Sequence, residues 1–234
     1  MSRIAVVTQS NYVPWRGWFE MIAQSDIWVI YDNVQFTKRD WRNRNIIRVN
    51  ESPEWLTIPV NTKGKYKQLI CETEISNSEW FTVHKQKLSA AYCNFPHYHD
   101  LSNFLNHIDF LIAGKRLLSD VNEIITRYLL EILGIAVEIV DSRNYNTAFE
   151  NSSERLLEIC KQVNADIYLS GPAAKDYLDS NMFLNSGIDL AWMDYSKLPT
   201  DLDGKAEAGE YSILDLIARK GFGALREYLP SCVA

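Results

Sequence analysis

The chain is poor in cysteine and histidine and has no long apolar run, and each shortage closes off a class of protein. Cys71, Cys93, Cys160 and Cys232 form no C-x-x-C pair, so neither a redox couple nor a zinc ribbon is expected. Four reduced thiols, with Cys160 in a helix core, fit this spacing. His84, His97, His99 and His107 have no companions at metal-ligand spacing, and no metal site is assigned. The P-loop, G-x-G-x-x-G, G-x-S-x-G and H-E-x-x-H motifs are all missing, which moves several common enzyme classes out of the first rank. Met1–Gln9 is too short for a signal peptide and carries no cleavage site. No later stretch approaches the length of a membrane span, so a cytoplasmic protein is expected. A formal charge of −6 argues against a general nucleic-acid binder, because neutralising phosphates needs a basic surplus.

What remains is an ordinary globular composition, 47% hydrophobic and 23% charged over 234 residues, enough for one large domain with a real core. Residues 1–234 read as a single α/β domain, with 77–134 as a helical subdomain or insertion. Ile4–Thr8 and Asp26–Asp32 are nearly continuous apolar strands around a helix over Trp18–Gln24, which makes a parallel βαβ unit. Asn45–Val49 and Trp55–Val60 form a hairpin across Asn50–Pro53, and Leu69–Ile75 is a further strand. Helical stripes follow over Phe81–Tyr92, Leu101–Ile112 and Leu117–Ile132, the last ended by Gly134. Then come a strand at Ala136–Val140, a helix opened by Ser152, a strand at Asp166–Leu169, a helix at Ala173–Asn185 and a strand at Leu190–Met193. Helices at Tyr211–Arg219 and Gly223–Tyr228 close the chain. Strands alternating with helices at both ends imply a doubly wound, mostly parallel Rossmann-like sheet with a hairpin insertion and a helical block. Ser196–Gly209 is polar and suits a surface loop, with a substrate-covering lid as the functional alternative.

In an open α/β sheet ligands bind beyond the carboxyl ends of the strands, and three unusual loops leave such ends. The first holds Gln9, Asn11, Tyr12, Trp15, Arg16 and Gly17 and leads into a helix N-terminus suited to an anion. The second begins at Asp32, passes Gln35 and runs through Lys38, Arg39, Trp41, Arg42, Asn43 and Arg44 to Arg48. That is five cations in eleven residues, opposed only by Asp40, so this loop is the sharpest sign of an anion site in an acidic chain. The third holds Ser170, Gly171, Lys175, Asp176 and Tyr177. Five of the seven tryptophans precede residue 60, which also points to the N-terminal half for ligand contact. His84 lies on the inward stripe of its helix; it is either a hydrogen-bonded core histidine or a general base tuned by burial.

These stretches resemble the WbqC-like protein family: Gln9-x-Asn11-Tyr12-x-Pro14-Trp15-x-Gly17-Trp18-Phe19, Lys38-Arg39-x-Trp41-x-Asn43-Arg44-Asn45, Leu56–Val60, and Tyr168–Pro172 with Lys175–Leu178. The resemblance implies a place in the biosynthesis of O-antigen or other surface polysaccharides more than it implies a reaction. A more distant likeness links the first strand, the Pro-x-x-Gly turn and the Asp166–Tyr177 passage to nucleotidyltransferase-like domains such as pantothenate synthetase. The chain departs from that pattern where it carries Pro14-Trp15-Arg16-Gly17-Trp18, because that superfamily places two histidines there.

Three readings follow. In the first, a transferase N-acylates or aminoacylates a nucleotide-linked amino sugar. Its arginine loop holds the diphosphate, Trp15 and Trp41 pack on base or sugar, and His84 or Asp32 takes the amine proton, with acyl-CoA or another acyl donor as second substrate. In the second, Lys175 reaches a nucleotide triphosphate bound with magnesium, and the chemistry is nucleotidyl transfer or adenylate formation. In the third, the same cleft carries a sugar nucleotide without catalysis. The partner is a small molecule in all three, and oligomeric state is left open.

Overall fold

The computed structural model describes residues 2–145, 151–199 and 211–230. Five strands form one parallel sheet: β1 (Ile4–Thr8), β2 (Ile27–Ile30), β5 (Glu138–Asp141), β6 (Ile167–Ser170) and β7 (Asp189–Trp192), in the spatial order β5-β2-β1-β6-β7. The chain winds outward from β1 through β2 to β5, then returns to the other side of β1 and winds outward again. The reversal lies between β1 and β6, so the fold is a Rossmann-like α/β sheet with its switch point there.

The sheet is buried on both faces, which is why β1 and β2 read as unbroken apolar runs. Val6, Trp28 and Ile30 face α1 (Arg16–Ala23) and a helical layer of α2 (Trp80–Tyr92), α3 (Tyr98–Leu111), α4 (Leu118–Leu133) and α7 (Ile213–Ala224). Ala5, Val7, Ile27 and Val29 alternate with them and face α5 (Ser152–Gln162) and α6 (Ser180–Asn185). The second sheet is the antiparallel pair β3 (Arg44–Val49) and β4 (Ser52–Thr57). Its two-residue turn, Asn50-Glu51, has φ of 48° and 62°, the pattern of a type I′ hairpin. Ile47 and Leu56 carry the hairpin into the larger core.

Three segments differ from the sequence expectation. Leu69–Ile75 is not a strand. It is a 3-10 turn (Ile70–Glu72) set between isolated bridges, because the Glu72 carboxylate takes the Leu69 N–H and the Thr73 hydroxyl bonds the Leu69 carbonyl. The helix expected over Ala173–Asn185 is divided into a 3-10 turn at Pro172–Asp176 and α6, whose N-terminus Asp179 caps through the N–H groups of Asn181 and Met182. The closing helix begins at Ile213 behind a Ser212 cap, breaks at Gly221 and ends in a 3-10 turn at Leu225–Tyr228. By contrast, α4 stops where Gly134 predicts, with that residue in the left-handed conformation at φ 67°. Residues 200–209 of the loop expected over Ser196–Gly209 lie outside the described residues.

Candidate functional site

The chain leaves the sheet at Thr8, and the loop that follows is held by residues from distant segments. Every carbonyl of Tyr12–Pro14 finds a partner. Asn45 Nδ2 donates to the carbonyls of Tyr12 (3.1 Å) and Val13 (2.9 Å), Ser212 Oγ donates to Val13 (2.8 Å), and the Ile213 N–H donates to Pro14 (3.0 Å). The Tyr12 N–H donates to the Trp41 carbonyl at 3.0 Å, which ties the first loop to the second.

Beneath these loops lies a buried polar knot. Asp32 is 1% exposed and accepts from the Ser10 N–H (2.8 Å) and the Ser10 hydroxyl (2.6 Å). Asn122 of α4 donates to Ser10 Oγ (3.2 Å) and to the Arg42 carbonyl (2.8 Å). Burial raises the Asp32 carboxyl above its usual range, and the Ser10 hydrogen bonds and the Arg42 charge pull it back. The arrangement locks the exits of β1 and β2 together, and both Asp32 oxygens are engaged, which leaves Asp32 no free face for a substrate proton.

His84 is fixed in a similar way. Its Nε2 donates to the Thr57 carbonyl (3.0 Å), so Nδ1 is the acceptor for the Tyr12 hydroxyl (2.8 Å). Burial pushes its pKa down to about 4. With both nitrogens committed inside the protein, His84 braces the Tyr12 loop, and the general-base role expected for it has no lone pair to act through.

The five cations of the basic segment do not form one clamp. Arg48 is buried against Asp215 (3.4 Å) and Tyr92, whose hydroxyl accepts the Arg48 N–H (2.9 Å) and donates to Asp215 (3.1 Å). Arg44 stacks over the Trp55 ring at 3.7 Å and donates to the Arg39 carbonyl. Asn43 is buried in the hairpin base, donating to Ile58 O at 2.8 Å. Lys38 and Arg39 are exposed and line no cavity, and Gln35 is tied outward to the Tyr66 carbonyl at 2.9 Å. Arg42 turns toward the loops at the strand ends. It donates to Asn11 Oδ1, stands 3.8 Å from Asp40, and its charge acts on Asp32 and on Tyr177.

Arg42 lines neither of the two nearby cavities but is linked to a residue of each, by its hydrogen bond to Asn11 and by its charge on Tyr177. One, of 460 Å³, opens at the switch point beyond β1 and β6 and is lined by Thr8, Gln9, Tyr31, Ser170, Gly171 and Tyr177, with Arg155 of α5 at its wall. Tyr177 belongs to this cavity, and the Arg42 charge acts on its phenol against the upward push of burial. The other, of 310 Å³, is lined by Asn11, Pro14, Trp15, Trp41 and Asn45. Both lie in the size range of small-molecule sites. Lys175 and Asp176 are exposed on the neighbouring 3-10 turn, Lys175 lying 5.6 Å from the Trp192 ring centroid. Arg16 reaches away to the Pro199 carbonyl at 2.6 Å.

Gly17 shapes the second cavity. The Trp15 indole folds onto it so closely that a methyl group there would collide with the ring, and Trp15 meets Tyr195 edge-on at 4.9 Å between centroids. Gly17→Ala is therefore expected to displace Trp15, lower stability by about 1–3 kcal/mol as overpacking does, and change the tryptophan emission spectrum. An unchanged spectrum and unchanged denaturation midpoint would contradict this packing.

Residues 9–227 match the WbqC-like protein family over nearly the whole chain. The chain belongs to that family. Among WbqC-like relatives is an uncharacterized protein, Rv1507c, of Mycobacterium tuberculosis, 37% identical over 236 residues that cover 99% of each chain. No solved structure matches the chain. In this WbqC-like protein no helix among the described residues is long and apolar enough to cross a membrane, and no group of three or more His, Cys, Asp or Glu among them could hold a metal ion.

Sequence reasoning missed Tyr31, Arg155 and Asn45. Tyr31 is the last apolar residue before Asp32, indistinguishable in sequence from its strand neighbours. Arg155 falls in the first turn of a helix recognised only by its cap and inward stripe. Asn45 is legible within the Asn-x-Asn spacing of the hairpin, but its task depends on the loop that folds over it.

Proposed function

We propose that this protein is a transferase of surface polysaccharide biosynthesis that N-acylates or aminoacylates a nucleotide-linked amino sugar. The observation that carries this reading is the link Arg42 makes to both cavities, bonding Asn11 of one and acting by its charge on Tyr177 of the other. The nucleoside occupies the crevice at the switch point, with Tyr31 and Tyr177 beside the base or ribose. The diphosphate lies across the guanidinium, whose planar fork suits phosphate oxygens. The sugar rests between Trp15 and Trp41, where the Asn11 amide meets its hydroxyls. With His84 and Asp32 sealed inside the protein and no activated nucleophile at either cavity, the substrate amine attacks the carbonyl of an acyl-CoA directly. The thioester C–S bond breaks, the CoA thiolate leaves and takes up the amine proton as the thiol, and the protein's contribution is positioning.

Nucleotidyl transfer is less well supported by the same geometry. All four histidines lie in or at the ends of α2 and α3, and none lines the crevice. Lys175, the residue that reading needs at a triphosphate, is exposed.

Calorimetric titration with nucleotide-linked amino sugars, followed by mass spectrometry of mixtures with acyl-CoA donors, tests the proposal. Arg42→Ala is expected to weaken sugar-nucleotide binding about 10- to 100-fold, the value of a charge-assisted hydrogen bond, while Arg42→Lys recovers part of it. No binding of any nucleotide sugar would sink the reading. Binding without turnover across donors would leave a carrier in place of an enzyme.

A further inference from the structure

A second cationic surface lies outside both cavities. The segments 34–36 and 68–70 run side by side as an antiparallel ribbon: Phe36 N–H donates to the Gln68 carbonyl (2.9 Å), Ile70 N–H donates to Val34 (2.9 Å), and Gln35 bridges Leu69. Antiparallel pairing sends Thr37–Arg39 and Lys65–Lys67 out of the same end of the ribbon. There the chain gathers Lys38, Arg39, Lys63, Lys65 and Lys67, five of the 24 lysines and arginines of an acidic protein. Lys65 is held by Glu74 at 2.9 Å; the other four are exposed and form no ion pair among the described residues. Every residue from Lys63 to Lys67 is exposed, Gly64 turns the chain at φ 75°, and Tyr66 projects at 81% exposure, the most exposed large apolar side chain described.

We infer that this tip docks the protein peripherally on an anionic phospholipid surface, with Tyr66 seated at the headgroup level and the four unpaired cations over the phosphates. Four exposed cations around a projecting tyrosine match the requirements of such a surface, where each lysine or arginine contributes independently and an aromatic ring settles at the boundary. The open depression at the tip is lined by residues 64–68 and Glu72 with Tyr66 as its one aromatic, so it offers no stacking path for a single-stranded nucleic acid, which needs successive rings along a channel. The remaining charge of the molecule is strongly negative and repels the same membrane, so the orientation is dictated. Val34, at the other end of the ribbon, belongs to the wall of the 460 Å³ crevice, so one short ribbon joins the docking tip to that crevice. The inference does not depend on which substrate the cavities hold.

Flotation of the full chain with phosphatidylcholine vesicles, and with phosphatidylcholine vesicles containing phosphatidylglycerol, tests it. Binding is expected only to the anionic vesicles and is lost at high salt. Replacing Lys38, Arg39, Lys63 and Lys67 by serine one after another is expected to reduce partitioning about fivefold each, and Tyr66→Ser several-fold more. None of these side chains holds the fold, so the thermal midpoint stays put and serves as the control. Three results would overturn the inference: no binding to anionic vesicles, equal binding to neutral ones, or wild-type binding by the fourfold variant. Tighter binding to polyuridylate than to anionic vesicles, insensitive to Tyr66, would overturn it in favour of a nucleic-acid surface.

Discussion

Alanine in place of Asp32 is expected to lower the unfolding free energy by about 3–5 kcal/mol, the cost of breaking a buried charged arrangement from one side. Three things are lost together. The Ser10 N–H and hydroxyl lose their acceptors inside the protein, where unpaired donors cannot turn to water. The buried Arg42 guanidinium loses one of the two carboxylates that offset its desolvation, leaving Asp40 alone. Asn122, bonded to both Ser10 Oγ and the Arg42 carbonyl, then holds one end of a broken link. Asp32→Asn keeps the volume but turns one acceptor into a donor facing Ser10, so its loss is smaller, about 2 kcal/mol. Urea denaturation of the three proteins measures this, and an Asp32→Ala protein within about 1 kcal/mol of wild type would show that the knot is not what fixes the strand exits. If Asp32 were instead a proton acceptor in catalysis, Asp32→Asn would abolish turnover while leaving stability nearly unchanged.

The second large effect is a dependence of stability on pH that originates in His84. The folded protein keeps the imidazole neutral down to about pH 4, whereas the unfolded chain protonates it near 6.5. Between those values the unfolded state binds the additional proton, so stability is fully present above 6.5 and falls as pH drops toward 4. The gap corresponds to roughly 3 kcal/mol. The raised pKa of Asp32 acts in the opposite sense, since there the folded state holds the proton, so the comparison must be made within one background. Glutamine supplies a donor for Thr57 and an acceptor for Tyr12 but does not titrate. His84→Gln is therefore expected to be less stable than wild type at neutral pH by about 1–2 kcal/mol and to lose this slope, so that the two curves cross between about pH 5 and 6 and the variant is the more stable protein near pH 4. Parallel curves would mean that His84 is protonated in the folded state after all.

Both predictions concern residues that the sequence marks as chemical and the fold uses as braces. Nothing local distinguishes the two uses. A carboxylate after a strand and a histidine on an inward stripe are the same residue types at the same spacing whether their free face meets substrate or another loop. The partners of Asp32 and His84 lie 22 and 72 residues away in Ser10 and Tyr12, beyond the reach of any periodicity argument. The basic segment shows the same limit. Eleven residues of charge look like one clamp, yet from Arg44 onward the chain is a hairpin strand, where the Trp55 ring takes Arg44 and Asp215 of α7 takes Arg48.

The three loops at strand ends, the one carrying Arg42 among them, could be found from sequence because their placement follows from strand–helix alternation, a local property. Composition and patterning by themselves determined an α/β chain with parallel strands buried on both faces, a hairpin, a helical layer and a concentration of aromatic residues near the N-terminus. They could do so because hydrophobic periodicity and the capping and glycine signals act over a few residues. The scarcity of histidine and cysteine likewise fixed in advance how little acid–base and thiol chemistry the molecule could bring to any site. Tertiary structure alone decided the order β5-β2-β1-β6-β7, hence the switch point and its cavity, and it alone decided which polar groups are spent on each other. Those outcomes depend on contacts between segments far apart in the chain, where burial forces each donor and acceptor to find a partner and only those left over face a ligand.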